Sequence, residues 1–333
     1  MSTIKVNAVE STSSGGVAAK IASINDGALS NRNLLHNSSF EVWQRGTSFA
    51  SGASGGNRYT ADRWSVPNRT RAAQSTDVPA GFKYAILLDR EQTGGSEPFT
   101  IHQGIEKDNI RFTGSYTLSF YAKSADISSV NINVQDRTTV AEGGTNHSSI
   151  VNNQAISITS SWARYTHTFT LSSIALTGTC LRISIGNTSA SQNDELLLTG
   201  IQLETGSVAT DIEKRSFGYE LKLCKRYFQL IGKDGTNSTV AAGFTTSNTF
   251  FGYGCLPDGE MRAAPTIAID GTLSHLGYTH TAVAAAASNL TGIGTGNRTF
   301  SLQISSTTGT TNLAGSYARM TNAASALTFS AEL

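Results

Sequence analysis

Hydrophobic and polar residues alternate with a period of two along much of the first two-thirds of the chain. From Gly114 to Lys123, large apolar residues alternate with Thr, Ser, Tyr and Lys, the pattern of a strand with one buried face. The same alternation recurs over 130–134, 162–171, 181–185 and 196–203. Together with shorter candidates this makes roughly eight strands separated by polar turns, which predicts an antiparallel jelly-roll β-sandwich.

The period changes to a helical one after Ser216. A serine hydroxyl can accept from the free N–H groups of a first helical turn, so Ser216 is the predicted N-cap. Apolar residues then recur at spacings of four, three and four, at Phe217, Leu221, Cys224 and Phe228. This stripe predicts a linking helix over 214–231. We expect three copies of the helix to pack along the stripe in a homotrimer.

The segments at the two ends complete an all-β prediction. In residues 1–32 only Ile4, Val6 and Ala8 alternate like a strand, so this segment is interpreted as a docking tail ordered by a partner. Residues 33–213 form the predicted sandwich, with the first core strands expected around Leu34 to Trp43. Residues 232–333 are predicted to form a smaller C-terminal β domain with a thin core.

Composition excludes some classes of function but does not identify one. Only 15% of residues are charged and the formal net charge is +1, so no basic surface for nucleic acid is expected. No apolar run is long enough to predict membrane insertion. Three widely spaced cysteines do not predict a disulfide framework and are typical of a reducing compartment.

Four ordered segments carry a resemblance to a known family. They are NLLHNSSFEVWQRG, YTLSFYAKS, TSSWARYTHTFTL and LTGIQLETGSVATDIEKRSFGYELKLCKRYF, and they span 33–228. In this order they resemble a module of bacteriophage tail-fibre and virion appendage proteins, which is itself similar to the carbohydrate-binding jelly rolls of glycoside hydrolases. The phage versions have proline where this chain has Asp211. The segment 260–267 resembles a block that follows the helix in the same proteins.

The resemblance implies a structural virion protein assembled in the host cytoplasm. The expected function is that of a tail fibre that attaches to a host-surface glycan and joins other virion proteins through residues 1–30. A capsid-surface fibre or decoration protein without a specific receptor is the alternative. A glycan depolymerase is the third possibility, but no nucleophile elbow, phosphate loop or zinc spacing is present. We therefore predict no enzyme activity and no cofactor.

Exposed aromatic residues are the candidate glycan-binding groups, because a sugar ring stacks on an aromatic face. Tyr121 lies on the polar side of its strand, and Phe251 and Tyr253 precede a loop. In the resembled carbohydrate-binding modules, a glutamate like Glu41 often binds calcium together with an aspartate on the last strand. This chain has Thr199 and Gly200 there, so no metal site is predicted, although a calcium near Glu41 is left open.

Overall fold

The protein is analysed as a computed structural model, and the residues that it describes form almost only antiparallel strands and one α-helix. The structure describes residues 31–52, 55–91, 99–140, 145–173, 175–187, 191–233, 238–246, 249–276, 282–285, 290–305 and 315–333. The predicted docking segment 1–30 lies outside these residues.

The strands from residue 48 to residue 205 form a jelly-roll β-sandwich of two six-stranded sheets. They are Ser48–Phe49 (β1), Asn57–Tyr59 (β2), Ser65–Pro67 (β3), Arg71–Ser75 (β4), Ala85–Asp89 (β5), Phe99–Glu106 (β6), Gly114–Lys123 (β7), Ser129–Arg137 (β8), Asn146–Ser157 (β9), Ala163–Leu171 (β10), Cys180–Asn187 (β11) and Glu195–Thr205 (β12). The first sheet has the order β1-β4-β5-β12-β7-β10 and the second the order β2-β3-β6-β11-β8-β9. The predicted all-β fold class is confirmed.

The alternation seen in the sequence determines which side chains enter the sandwich core. Tyr116, Leu118 and Phe120 of β7 point inward and are almost fully buried. Ile183 and Ile185 of β11 face them from the second sheet in the same hydrophobic cluster. At about 25 cal/mol per Å² of apolar area removed from water, this shared interior is the main stabilising contribution of the sandwich.

The predicted first core strands around Leu34 to Trp43 are wrong, although the core residues are right. Leu35, Phe40 and Val42 are buried, but the backbone there runs through turns, with positive φ at Asn37 and Phe40. The carboxamide of Asn37 replaces a sheet partner. Its Nδ2 donates to the carbonyl of Val42 at 2.8 Å, and its Oδ1 accepts from the Val42 N–H at 3.0 Å.

The linking helix is shorter than predicted. Helix α1 spans Phe217–Lys225, and the hydroxyl of Ser216 accepts from the backbone N–H of Tyr219 as its predicted N-cap. Phe228 is not helical: it begins a strand, because its backbone pairs with Ser330 near the other end of the C-terminal segment. Cys224 is fully buried within the chain. Two of the four residues assigned to the trimer stripe therefore pack inside their own chain.

The C-terminal strands begin at Phe228 rather than at residue 232. They are Phe228–Gly232 (β13), Thr239–Thr246 (β14), Thr249–Cys255 (β15), Thr266–Asp270 (β16), Leu273–Leu276 (β17), Ala282–Ala285 (β18), Leu290–Thr295 (β19), Thr299–Ser305 (β20), Gly315–Met320 (β21) and Ala326–Ser330 (β22). One sheet has the order β13-β22-β16 and a seven-stranded sheet the order β18-β17-β21-β14-β15-β20-β19. Their shared core includes Phe250, Phe300 and Phe329.

A buried ion cluster joins the C-terminal strands to the sandwich. The carboxylate of Glu332 contacts the guanidinium of Arg63 and lies 3.1 Å from that of Arg45. The Arg63 guanidinium also lies 3.4 Å from the ring centroid of Tyr227. The Arg63 and Glu332 side chains are only 1% and 5% exposed, so the Arg63 charge depends on Glu332 for compensation.

Candidate functional site

The outward face of the seven-stranded sheet carries aromatic side chains that the core does not use. Strand parity separates the two sides of β15: Phe250 points into the core, whereas Phe251 and Tyr253 point outward. Tyr253 is 56% exposed and Phe244 on β14 is 38% exposed. An exposed group of large aromatic residues is a feature of interaction surfaces.

Cross-strand register arranges these residues in two adjacent rows, which we call the aromatic face. In one row, Ala242 lies directly between Tyr317 and Tyr253, and Ser301 continues it on β20. The second row contains Phe244, Phe251 and Gln303. The Phe244 and Phe251 rings are stacked, with centroids 5.4 Å apart and an interplanar angle of 21°.

A depression of about 730 Å³ adjoins Tyr253 at one end of this face. Its lining combines an aromatic ring with hydroxyls and glycines: Tyr253, Gly254, Cys255, Gly296, Thr299, Phe300 and Ser301. Gly254 is needed there because a Cβ on it would lie 2.4 Å from the Phe300 ring. The volume is within the range of ligand sites, about 300–1,000 Å³.

Tyr121 is placed differently from the other two predicted glycan-binding residues. It lies on the outward side of β7, as its parity predicts, but its side chain is half-buried rather than exposed. The ring of Phe82 covers it at a centroid distance of 5.1 Å. Tyr121 and the aromatic face are not brought together into one site, and only Phe251 and Tyr253 share a surface.

A groove of about 570 Å³ lies where helix α1 approaches the sandwich. The first two residues of the predicted trimer stripe, Phe217 and Leu221, line it. The Phe217 side chain is 54% exposed. Trp43 and Tyr84 of the sandwich line its other side. The exposed part of the stripe therefore faces a partly aromatic groove, whereas Cys224 is buried.

Glu41 lies at a small polar cavity that charged side chains line. Glu41 and Glu220 line a polar cavity of about 130 Å³ that Arg215 also lines. The Arg215 guanidinium donates to the carbonyls of Asn33 and Leu35, and it lies 3.6 Å from the Glu220 carboxylate. A side-chain cation, the Arg215 guanidinium, thus already lies beside the Glu220 carboxylate. Among the described residues, no group of three or more His, Cys, Asp or Glu could hold a metal ion.

The sequence analysis did not identify a group of three hydrogen-bonded polar residues on the outer side of the second sandwich sheet. They are Thr100, His102 and Ser184. His102 Nδ1 lies 2.8 Å from the Ser184 hydroxyl, and its Nε2 lies 2.9 Å from the Thr100 hydroxyl. Burial, assisted by the charge of Arg182, lowers the pKa of His102 well below its usual value. Because a threonine occupies the position where a catalytic triad has a carboxylate, this contact is not a hydrolase triad.

Comparison with known proteins adds structural similarity at low identity. No protein-family model matches the chain, and no curated protein matches it. The CBM22-1 xylan-binding domain of Paenibacillus barcinonensis Xyn10C is 16% identical, covers 48% of this chain and 100% of its own, and has a TM-score of 0.33. A family 22 carbohydrate-binding module of Clostridium thermocellum Xyn10B is 10% identical, with 54% and 99% coverage and a TM-score of 0.34.

A phage protein is among the similar solved structures. The enzymatically active domain of bacteriophage CBA120 tailspike protein 4 is 13% identical, covers 52% of this chain and 21% of its own, and has a TM-score of 0.33. Scores of this size do not carry the fold assignment, which rests on the two-sheet topology of the chain itself. Within the described residues, no helix has the length and apolar character that a membrane span requires.

Proposed function

We propose that the chain is a structural adhesion protein of a phage virion, of the tail-fibre type, that attaches to a host-surface glycan. The observation that carries the proposal is the aromatic face, centred on Tyr253, which is 56% exposed on a regular sheet. The sequence resemblance to phage appendage proteins supports the virion context.

The chemistry of the aromatic face suits a sugar. A pyranose ring has an apolar C–H surface and a rim of hydroxyl groups. Tyr253 and Phe251 offer flat apolar surfaces, and Ser301 and Gln303 offer hydrogen-bonding groups beside them. Each hydrogen bond to the sugar replaces a hydrogen bond to water, so it contributes only about 1 kcal/mol net to the binding free energy. Useful attachment then depends on several copies that bind together.

A homotrimer would supply these copies. Because Cys224 and Phe228 are buried within the chain, the trimer contact is proposed to use the exposed side of α1. Phe217 is 54% exposed, and Leu221 lies beside it on the groove. Residues 1–30 are proposed to join this assembly to other virion proteins, and the C-terminal sheet is proposed to point away from the particle.

The test uses purified full-length protein and an array of bacterial surface polysaccharides. We expect the wild type to bind at least one polysaccharide, and Tyr253→Ala to reduce that binding by about tenfold, or roughly 1.4 kcal/mol. Phe112→Ala is the matched control, because Phe112 is 65% exposed but belongs to the sandwich segment between β6 and β7. Equal loss in both variants, or no binding by the wild type, would favour a decoration protein without a receptor.

A further inference from the structure

The row Tyr317–Ala242–Tyr253–Ser301 crosses four neighbouring strands at right angles to their direction. We infer that the aromatic face takes an uncharged, extended glycan that runs along this row and stacks on both tyrosines at once. The inference rests on the proposed function and adds the class of glycan, its direction on the sheet and a second stacking residue, Tyr317.

The spacing of the two tyrosines supports simultaneous stacking. Tyr317 and Tyr253 are each the direct partner of Ala242 on its two sides. Neighbouring strands lie about 4.8 Å apart, so the two tyrosine backbones are about 10 Å apart across the sheet. An extended glycan has sugar rings at both places when it lies across the strands. A glycan aligned along β15 would meet Tyr253 and Phe251 but not Tyr317.

The small side chain of Ala242 leaves room for a sugar ring between the two tyrosines. Ala242 is exposed, and its methyl group is the smallest side chain that a non-glycine residue can place there. The two tyrosines therefore stand on either side of a shallow gap in which a sugar ring can lie close to the sheet. On the far side of Tyr253, Ser301 continues the row with a small hydroxyl side chain on β20.

The side chains of the two rows carry no charge. They are tyrosine, alanine, serine, phenylalanine and glutamine at Tyr317, Ala242, Tyr253, Ser301, Phe244, Phe251 and Gln303. The flanking outward position on β21 is Arg319, opposite Thr239, outside both rows. A ligand that lies on the rows thus gains stacking and neutral hydrogen bonds rather than ion pairs. An uncharged glycan matches these contacts better than one with uronic or sialic acids.

The experiment measures binding of full-length protein to immobilised neutral and uronic-acid-containing bacterial polysaccharides at low and high salt. We expect neutral polysaccharides to be preferred, with binding that changes little with salt, because screening weakens only charged contacts. Tyr317→Ala and Tyr253→Ala should each weaken binding about tenfold. Tyr253→Phe should keep most of it, because the ring is retained. Arg319→Gln should leave binding to neutral polysaccharides unchanged. Circular dichroism confirms that each variant is folded.

The outcomes separate this inference from the function on which it rests. If Tyr253→Ala weakens binding but Tyr317→Ala does not, the glycan does not cross the strands and the inference is wrong, while the adhesion proposal stands. Preference for acidic polysaccharides, or loss of binding in Arg319→Gln, overturns the uncharged class. If the face instead binds a second copy, both tyrosine variants lower the mass measured by light scattering, and the adhesion site itself is refuted.

Discussion

Removing the carboxylate of Glu332 tests whether the buried ion cluster holds the C-terminal strands against the sandwich. In Glu332→Ala, Arg63 loses its carboxylate partner while its side chain stays 1% exposed. Burial alone would lower the pKa of Arg63, and the neighbouring Glu332 carboxylate raises it instead. The variant therefore leaves a buried cation without the carboxylate that most favours its charge.

The expected loss of stability depends on the contacts that Arg63 retains in the variant. Loss of one partner of a buried ion pair costs about 3–5 kcal/mol. Arg63 still donates to the carbonyl of Gly104 at 2.6 Å and still lies over the Tyr227 ring at 3.4 Å. We therefore expect a loss near the lower end, about 3 kcal/mol in the free energy of unfolding. Replacing both partners, as in Arg63→Met with Glu332→Leu, should cost less than Glu332→Ala alone.

Urea denaturation with two probes provides the measurement. The chain has three tryptophans, and Trp43, Trp64 and Trp162 all lie in the sandwich segment, so their fluorescence reports sandwich unfolding. Circular dichroism reports both groups of strands. The two transitions should coincide in the wild type and separate in Glu332→Ala. Glu260→Gln is the control, because its pair with Arg298 is exposed and should contribute nothing measurable. A loss below about 1 kcal/mol in Glu332→Ala would refute the argument.

Three further changes test other parts of the structure. Burial raises the pKa of Asp62 to about 6, against the opposing effect of Arg45. Between about pH 4 and pH 6 the folded state thus binds more protons than the unfolded state, and stability falls as pH rises through this window. Asp62→Asn should flatten that fall in urea titrations; an unchanged pH profile would contradict it. Ser216→Ala should lower stability by about 1 kcal/mol through loss of the helix cap, whereas a neutral effect would show that α1 is held by packing alone. Leu221→Asp should dissociate the proposed trimer in light scattering, and a monomeric wild type would reject the trimer.

The helix shows how far local sequence determines an element. The N-cap of α1 was predicted correctly, because it depends only on Ser216 and the backbone directly after it, where the Ser216 hydroxyl accepts from the Tyr219 N–H. Its end was not, because Phe228 leaves the helical pattern to pair with Ser330. That partner lies about a hundred residues further along the chain, and helical spacing carries no information about it.

The aromatic face likewise combines a feature that the sequence predicts with one that only the fold decides. Alternation along β15 was enough to separate the buried Phe250 from the outward Phe251 and Tyr253, since parity is a property of one strand. The companions of Tyr253 were not predictable in this way. Tyr317 joins it through the pairing of β21 with β14 and of β14 with β15, and register between strands distant in sequence is decided only when the whole sheet packs. The residues on each side of a strand thus follow from the sequence, whereas the surface that those residues share follows from the fold.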